Sequence, residues 1–259
     1  MEIINNAIII FIFCSSYIYF NALTLLKPFM KEQHIRTLFN IWKIVEYVNY
    51  FGFHKKIEIK NYDKIITEKN KWGFIISNHK SVLDNIIIMI IMKDNKLHFT
   101  NLKTISRYSK KNMQNEVLKI YNMVLVKKNW NDDINYLNKM IYKWKNENRN
   151  QQIAMYPEGS ILTEKTAATY NNLRNIHCGL FNYIVNKIIN VKYIYDLTII
   201  YKVNNRILIG EKDIFYNFLT NPEFKIIINF DKYEKKNISE DWLEKIWKKK
   251  DDFIMNYAA

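Results

Sequence analysis

The chain has 259 residues, of which 49% are hydrophobic and 25% are charged, with only 5 Gly and 3 Pro. This composition excludes a disordered or collagen-like protein and leaves no room for a long flexible linker, so we expect one continuous α/β domain. The formal net charge of +14 favours polyanionic partners such as anionic lipid headgroups or phosphorylated substrates, whereas the absence of a compact basic block or a nucleic-acid motif argues against nucleic acid.

The first predicted element is the uncharged segment Ile3–Leu26. A bilayer core needs about 20 apolar residues in a helix, so the segment predicts a membrane-embedded helix that spans the bilayer or lies in its interface. Three basic residues follow it: Lys27, Lys31 and Arg36. Basic residues that flank a membrane segment usually lie on its cytosolic side. The two scattered cysteines also fit a reducing compartment. We therefore predict a membrane anchor over residues 1–30 and a single cytosol-facing domain over residues 31–259.

The next elements are predicted from hydrophobic periodicity. Apolar side chains recur every three or four positions over residues 34–52, which predicts an amphipathic helix. Alternation from Ile57 to Tyr62 predicts an edge strand, and the apolar run Trp72–Ser77 predicts a buried strand. The segment Leu83–Met92 is apolar on nearly every side, which favours a helix buried against the sheet or facing lipid. Two short strands are predicted after it: Leu97–Thr100 and Met123–Val126.

The second half of the chain alternates between helical and strand patterns. Asp132 or Asp133 is expected to cap a helix, and Ser239 to cap the last helix. The inward face of the first of these helices is predicted to be Ile134, Leu137, Ile141 and Trp144; the last contains Trp242, Ile246 and Trp247. Further predicted elements are a strand over Gln152–Met155, a helix over Gly179–Ile189, and strands over Tyr193–Tyr201 and Phe224–Phe230. This alternation predicts a mixed sheet flanked by helices.

The sequence NHKSVLD, residues 78–84, places an imidazole and a carboxylate five positions apart directly after a predicted buried strand. On one helix a five-residue offset turns by about 500°, which leaves the two side chains about 140° apart. The side chains of His79 and Asp84 therefore meet only if the histidine lies in the turn and the aspartate in the first turn of the following helix. The carboxylate then bonds Nδ1 and leaves Nε2 as a base.

The sequence YPEGS, residues 156–160, again follows directly on a predicted strand. Its glycine permits close backbone approach, and its carboxylate and hydroxyl offer hydrogen bonds to a polar ligand. Taken alone, this pattern is also that of an ordinary strand-ending turn, and a histidine and an aspartate at the spacing of the first motif occur often by chance. The two motifs carry weight as a pair.

An Asn-His-x-x-x-x-Asp strand end followed about eighty residues later by a Pro-Glu-Gly-Ser strand end resembles the glycerolipid acyltransferase family, whose signatures are NHxxxxD and FPEGT. Four stretches resemble the branch of the lysocardiolipin and eukaryotic 1-acylglycerol-3-phosphate acyltransferases. They are NHKSVLDN, VLVKKNWNDD, YPEGSILTEKT, and the final part from FKIIINF through EDWLEKIW. The resemblance runs from about residue 70 to the end of the chain.

The resemblance implies a membrane-bound enzyme of phospholipid biosynthesis. Such an enzyme moves a fatty acyl group from acyl-CoA, its co-substrate, to the free hydroxyl of a lysophospholipid such as lysophosphatidate, without a metal or other cofactor. His79 would be the general base and Asp84 its orienting partner. The expected substrate-binding residues are Asn78, Ser81, Lys128, Glu158, Gly159 and Ser160. The expected location is the endoplasmic reticulum or a related internal membrane, with the catalytic domain facing the cytosol.

The sequence also departs from the family pattern. Lys128 stands where the family usually has an arginine, and a lysine cannot bond phosphate bidentately. Ile161 follows the YPEGS stretch where an arginine is common, and Asn85 replaces a tryptophan of the branch. Two alternatives therefore stay open, a CoA-independent transacylase and a catalytically silent, membrane-binding member. A catalytic pair formed by the adjacent His177 and Cys178 is disfavoured, because neighbouring side chains point apart.

Overall fold

The structure, a computed structural model, describes most of the chain from residue 56 onward. The described residues are 56–61, 72–94, 102–107, 123–127, 129–146, 152–162, 172–188 and 191–257, with single residues at 18, 19, 22, 25, 29, 30, 115 and 170. The predicted helix over residues 34–52, the predicted strand Leu97–Thr100, nearly all of the predicted anchor and the boundary after residue 30 lie outside them. No helix within the described ranges has the length and apolarity that a bilayer crossing requires.

The strands of the described ranges form one eight-stranded sheet. They are β1 (Ile57–Lys60), β2 (Trp72–Ser77), β3 (Leu102–Arg107), β4 (Val124–Val126), β5 (Gln152–Met155), β6 (Val191–Val203), β7 (Arg206–Ile207) and β8 (Phe224–Glu234). Their order is β1-β8-β6-β2-β5-β3-β4, and β7 pairs with β6. Strand β6 is antiparallel to β7 and β8, whereas the other neighbours are parallel. The predicted mixed sheet is confirmed.

Helices cover both faces of this sheet. They are α1 (Leu83–Asp94), α2 (Trp130–Asn146), α3 (Cys178–Lys187), α4 (Glu211–Thr220) and α5 (Trp242–Asn256), with a short 3-10 turn at Lys235–Asn237. Helices α1 and α4 pack on one face, and α2, α3 and α5 pack on the other. Strand β2 contributes to both cores, because successive side chains of a strand point to opposite faces: Ile75 lies in the first core, Phe74 and Ile76 in the second.

Most predicted elements in the described ranges are confirmed, including the edge position of β1 and the complete burial of β2. Helix α1 is buried against the sheet. On α2, Leu137, Ile141 and Trp144 are buried as predicted, and Ile134 is half-buried.

Both predicted helix caps are wrong. Helix α2 begins at Trp130, so Asp132 and Asp133 lie within its first turn. Asp133 Oδ1 accepts a hydrogen bond from the backbone N–H of Lys127 at 2.6 Å, which ties the helix to the end of β4. Ser239 donates to Asp241 Oδ1 at 2.5 Å, and α5 begins only at Trp242. In both cases a local polar partner takes the side chain that was expected to bind the helix N–H groups.

The sheet order determines where the two motifs meet. Strands β2 and β5 are parallel neighbours, and Ile76 lies opposite Met155 in their register. Parallel strands end at the same edge of a sheet, and ligands of open α/β sheets bind outside these carboxyl ends. The segments 78–84 and 156–160 therefore leave the sheet side by side.

Candidate active site

His79 and Asp84 are in direct contact at the carboxyl end of β2. The Nδ1 atom of His79 lies 2.9 Å from Oδ2 of Asp84. The histidine occupies the turn after the strand, and the aspartate lies in the first turn of α1, which is the arrangement that the five-residue spacing requires. The Asp84 side chain is fully buried, and the His79 side chain is 15% exposed. An ionised carboxylate only accepts hydrogen bonds, so Nδ1 carries the proton and Nε2 is left with the lone pair.

Three further donors hold the Asp84 carboxylate. Oδ2 also accepts the backbone N–H groups of Lys80, at 2.7 Å, and Ser81, at 3.0 Å. Oδ1 accepts the hydroxyl of Tyr201 on β6 at 2.5 Å. Burial and the nearby Asp84 carboxylate raise the pKa of Tyr201 well above its usual value, so this hydroxyl stays a donor. With the orientation of the carboxylate fixed in this way, the imidazole plane is fixed as well.

The YPEGS segment and the residues directly after it are joined to the histidine turn and the start of α1 by three contacts. The rings of His79 and Tyr156 stack with centroids 4.1 Å apart. The Tyr156 hydroxyl donates to Oδ1 of Asn85 at 3.0 Å, and the backbone N–H of Leu162 donates to the carbonyl of His79 at 3.1 Å. Asn85 therefore links the two segments.

A cavity of about 390 Å³ opens beside the histidine. This volume falls in the range of small-molecule sites, about 300–1,000 Å³. The lining is largely apolar and comprises His79, Ile105, Val126, Trp130, Asp133, Met155, Tyr156, Gly159, His177, Gly179 and Leu180. An apolar group therefore fits next to the imidazole.

Two of the expected substrate-binding residues have structural contacts. Asn78 is fully buried; its Nδ2 donates to the carbonyl of Ile199 at 2.8 Å, and its Oδ1 accepts the N–H of the same residue at 2.8 Å. Ser81 is also fully buried. Its Oγ accepts the N–H of Leu83 at 3.2 Å and donates to Glu211 Oε1 at 3.2 Å. These geometries favour anchoring of the strand end and capping of α1 over contact with substrate.

Glu158 is buried as well, and only 2% of it is exposed. Neither carboxylate oxygen has a partner in hydrogen-bond geometry among the described residues. Burial raises the pKa of Glu158 to about 8, against the opposing charges of Lys80 and Lys250 and a weaker influence of the His79 backbone N–H. Burial also lowers the pKa of Lys80, which Glu158 partly offsets. The Glu158 side chain is thus enclosed in the protein interior and is not open to an acceptor substrate.

Gly159 and Ser160 follow Glu158 in the same turn. Gly159 has φ +68°, and an added Cβ would lie 3.1 Å from the ring of His177, so glycine meets both a conformational and a steric requirement. Ser160 Oγ accepts a hydrogen bond from Nη1 of Arg174. Arg174 also donates to the carbonyl of Ile161 at 3.4 Å. Lys128, the remaining expected ligand, lies outside the described residues.

Cys178 is the first residue of α3, and its Sγ lies 3.7 Å from Oε1 of Glu244. Burial and then Glu244 raise the pKa of the thiol. Nucleophilic cysteines need a lowered pKa, because the thiolate is the reactive form. The geometry therefore disfavours Cys178 as a nucleophile, in line with the sequence.

Sequence reasoning missed three polar residues of the site: Lys80, Arg174 and Tyr201. The position of Lys80 directly after the histidine indicates that it lies near the site. Buried lysines are rare, however, so the sequence favours an exposed side chain at this position. Tyr201 lies in an apolar strand, where an aromatic residue predicts packing. Arg174 lies in a segment without periodicity, and only the fold brings it to Ser160.

The arrangement offers a histidine base, oriented by a buried carboxylate, beside an apolar cavity. It has the parts needed to remove a proton from a hydroxyl while an apolar chain is held nearby. Among the described residues, no group of three or more His, Cys, Asp or Glu side chains is placed to hold a metal ion.

The chain was compared with models of known protein families. The family model described as Acyltransferase matches residues 56–202, which is more than half of the chain and includes both motifs. A search of curated proteins finds no match.

Proposed function

This chain belongs to the acyltransferase family, and from that premise we propose that it moves a fatty acyl group from acyl-CoA to the free hydroxyl of a lysophospholipid. The observation that carries the proposal is the 2.9 Å contact between His79 Nδ1 and Asp84 Oδ2 at the edge of an apolar cavity. The histidine is thereby held in the tautomer whose Nε2 accepts a proton, and the cavity has the chemistry of an acyl-chain site.

The proposed reaction has two steps. His79 Nε2 takes the proton of the acceptor hydroxyl as its oxygen attacks the thioester carbon, which gives a tetrahedral oxyanion. The oxyanion then collapses, the carbon–sulfur bond breaks, and the CoA thiolate leaves and takes up the proton from the imidazolium. The Asp84 carboxylate stabilises the imidazolium between the steps, and the products are a diacyl phospholipid and free CoA. A positioned base of this kind contributes about 10²–10⁴-fold in rate.

Acyl transfer by the full chain tests the proposal. The protein is supplied with radiolabelled acyl-CoA and a panel of lysophospholipids, and labelled phospholipid is the expected product. His79→Ala should lower kcat by about 10²–10⁴-fold, because the proton acceptor is removed. Lys248→Gln, a change at an exposed residue of α5, is the control and should keep full activity. Thermal unfolding of both variants shows whether folding is unaffected.

The same assay separates the alternatives. Transfer from a labelled phospholipid in the absence of acyl-CoA would identify a transacylase that uses the same histidine. A well-folded wild-type protein without turnover from either donor, or a His79→Ala variant with wild-type activity, would contradict the proposed reaction.

A further inference from the structure

We infer that Arg174 binds the phosphate group of a substrate at the rim of the cavity; the inference rests on the proposed function, because it assigns a residue to substrates that carry phosphate. Arg174 lies in the segment between β5 and α3, three residues before His177, which lines the cavity. Its guanidinium reaches back to Ser160, the residue after Gly159 in the turn that lines the same cavity. The cation is therefore at the border of the site.

The Arg174 guanidinium has donors to spare. The two hydrogen bonds that Arg174 donates within the described part of the chain both come from Nη1, to Ser160 Oγ and to the carbonyl of Ile161. No carboxylate pairs with Arg174 among the residues that the structure describes. A half-buried arginine usually has a carboxylate or phosphate partner, since its planar fork of N–H groups matches their oxygens. Nη1 fixes the guanidinium to the turn, and Nη2 and Nε are left for an anion.

The other described cations near the histidine are not equally suited. None of the residues that line the cavity is a lysine or an arginine. Lys80 is the nearest in sequence, but it is only 1% exposed and donates to the carbonyl of Asn172. Lys250 is also buried, and it donates to Asp196 and Leu197 at 2.6 Å each. Arg174 thus combines partial exposure, fixed orientation and position at the rim.

Two kinds of substrate carry phosphate, the lysophospholipid acceptor and CoA. Equilibrium binding separates them without requiring turnover. Calorimetry measures the binding of two probes: glycerol 3-phosphate, which represents the acceptor headgroup, and CoA. The proteins compared are the full wild-type chain and its Arg174→Gln and Arg174→Lys variants. The Lys248→Gln variant is the charge-matched control. Loss of charge-assisted hydrogen bonds should weaken one of the two probes by about 10- to 100-fold in Arg174→Gln. The Arg174→Lys variant should keep part of the wild-type affinity for that probe. The Lys248→Gln variant should bind both probes as tightly as the wild-type protein.

Each outcome has a defined meaning. Weakening of glycerol 3-phosphate alone assigns Arg174 to the acceptor, and weakening of CoA alone assigns it to the donor. Unchanged binding of both probes in Arg174→Gln, or no binding of either probe to the wild-type protein, overturns the inference. Where turnover is seen, KM for the assigned substrate should rise in the variant while kcat changes little. A wild-type protein that binds a probe through Arg174 but transfers no acyl group would sink the proposed function and leave the phosphate site standing.

Discussion

Asp84 accepts hydrogen bonds from four groups, and this determines what His79 can do. Two of the donors are backbone N–H groups of the turn that carries the histidine, and a third is the Tyr201 hydroxyl. The Asp84 carboxylate is therefore held both by the histidine turn and by strand β6, and this fixes the tautomer of the imidazole. The sequence predicts this pair from its spacing, but the support from Tyr201 comes from a strand more than a hundred residues later and has no local signal.

Glu158 gives a pH prediction at the scale of a single residue. Its pKa rises from 4.5 to about 8 on burial, so folding takes up a proton at this carboxyl between those pH values. The folded state is favoured at low pH, and stability is lost as pH rises through this window. Glu158→Gln removes the titration while keeping the shape of the side chain. The Glu158→Gln variant should therefore gain stability relative to wild type as the pH rises from 5 to 8. The expected gain in the free energy of unfolding is at least about 1 kcal/mol, and it appears as a growing difference between the two melting temperatures.

Thermal unfolding at several pH values measures this difference. Glu223→Gln is the matched control, since Glu223 is exposed; its offset from wild type should be nearly constant over the same pH range. A constant offset for Glu158→Gln as well would mean that the carboxyl has an ordinary pKa in the folded protein.

At the scale of elements, helix α5 is joined to the histidine turn through the backbone of one residue, Asn172. The N–H of Asn172 donates to Oδ1 of Asp251 on α5 at 2.7 Å, and its carbonyl accepts from Nζ of Lys80. Both side chains are buried. The start of the segment that carries Arg174 is therefore held from two directions.

Asp251→Ala should release this segment. The N–H of the half-buried Asn172 would lose its acceptor, which should weaken the attachment of the segment to α5, and the amide should exchange with solvent faster. Asp252→Ala, a change at the exposed neighbour on α5, is the control. Hydrogen exchange of the peptide that contains residues 172–177 is the measurement. Equal exchange in the two variants would show that the contact does not restrain the segment.

The elements also show how far periodicity carries a prediction. Strands β2, β5 and β8 and helix α1 are predicted with the right type, because each is a continuous or periodic apolar run in a core. Strand β3, helix α4 and strand β7 were not predicted, since β3 and α4 mix polar residues into their patterns and β7 has only two residues. The caps were wrong because the competing partners, Lys127 and Asp241, depend on local geometry. The pairing of β2 with β5 follows from the fold, and it is this pairing that places YPEGS beside His79.

At the scale of the whole molecule, the net charge of +14 predicts electrostatic attraction to anionic membranes, where the proposed lysophospholipid substrates would reside. The full chain should bind vesicles that contain phosphatidylserine more tightly than vesicles of phosphatidylcholine alone. Raising the ionic strength from about 0.1 M to about 1 M shortens the Debye length from about 10 Å to about 3 Å. Binding to the anionic vesicles should fall by about tenfold or more as a result.

Vesicle sedimentation at the two salt concentrations measures this binding, and the neutral vesicles are the control. Equal, salt-insensitive binding to both kinds of vesicle would instead indicate that apolar insertion dominates.

The paired hydrogen bonds between Asn78 and Ile199 act as an extra rung of the sheet beyond the last residue of β2. The backbone of the histidine turn is therefore tied directly to strand β6, which favours a fixed geometry of the turn for the proposed reaction. Under the proposed function, evolutionary or laboratory change in acceptor preference should consequently accumulate in the segments that line the cavity elsewhere, while the histidine turn itself tolerates few replacements.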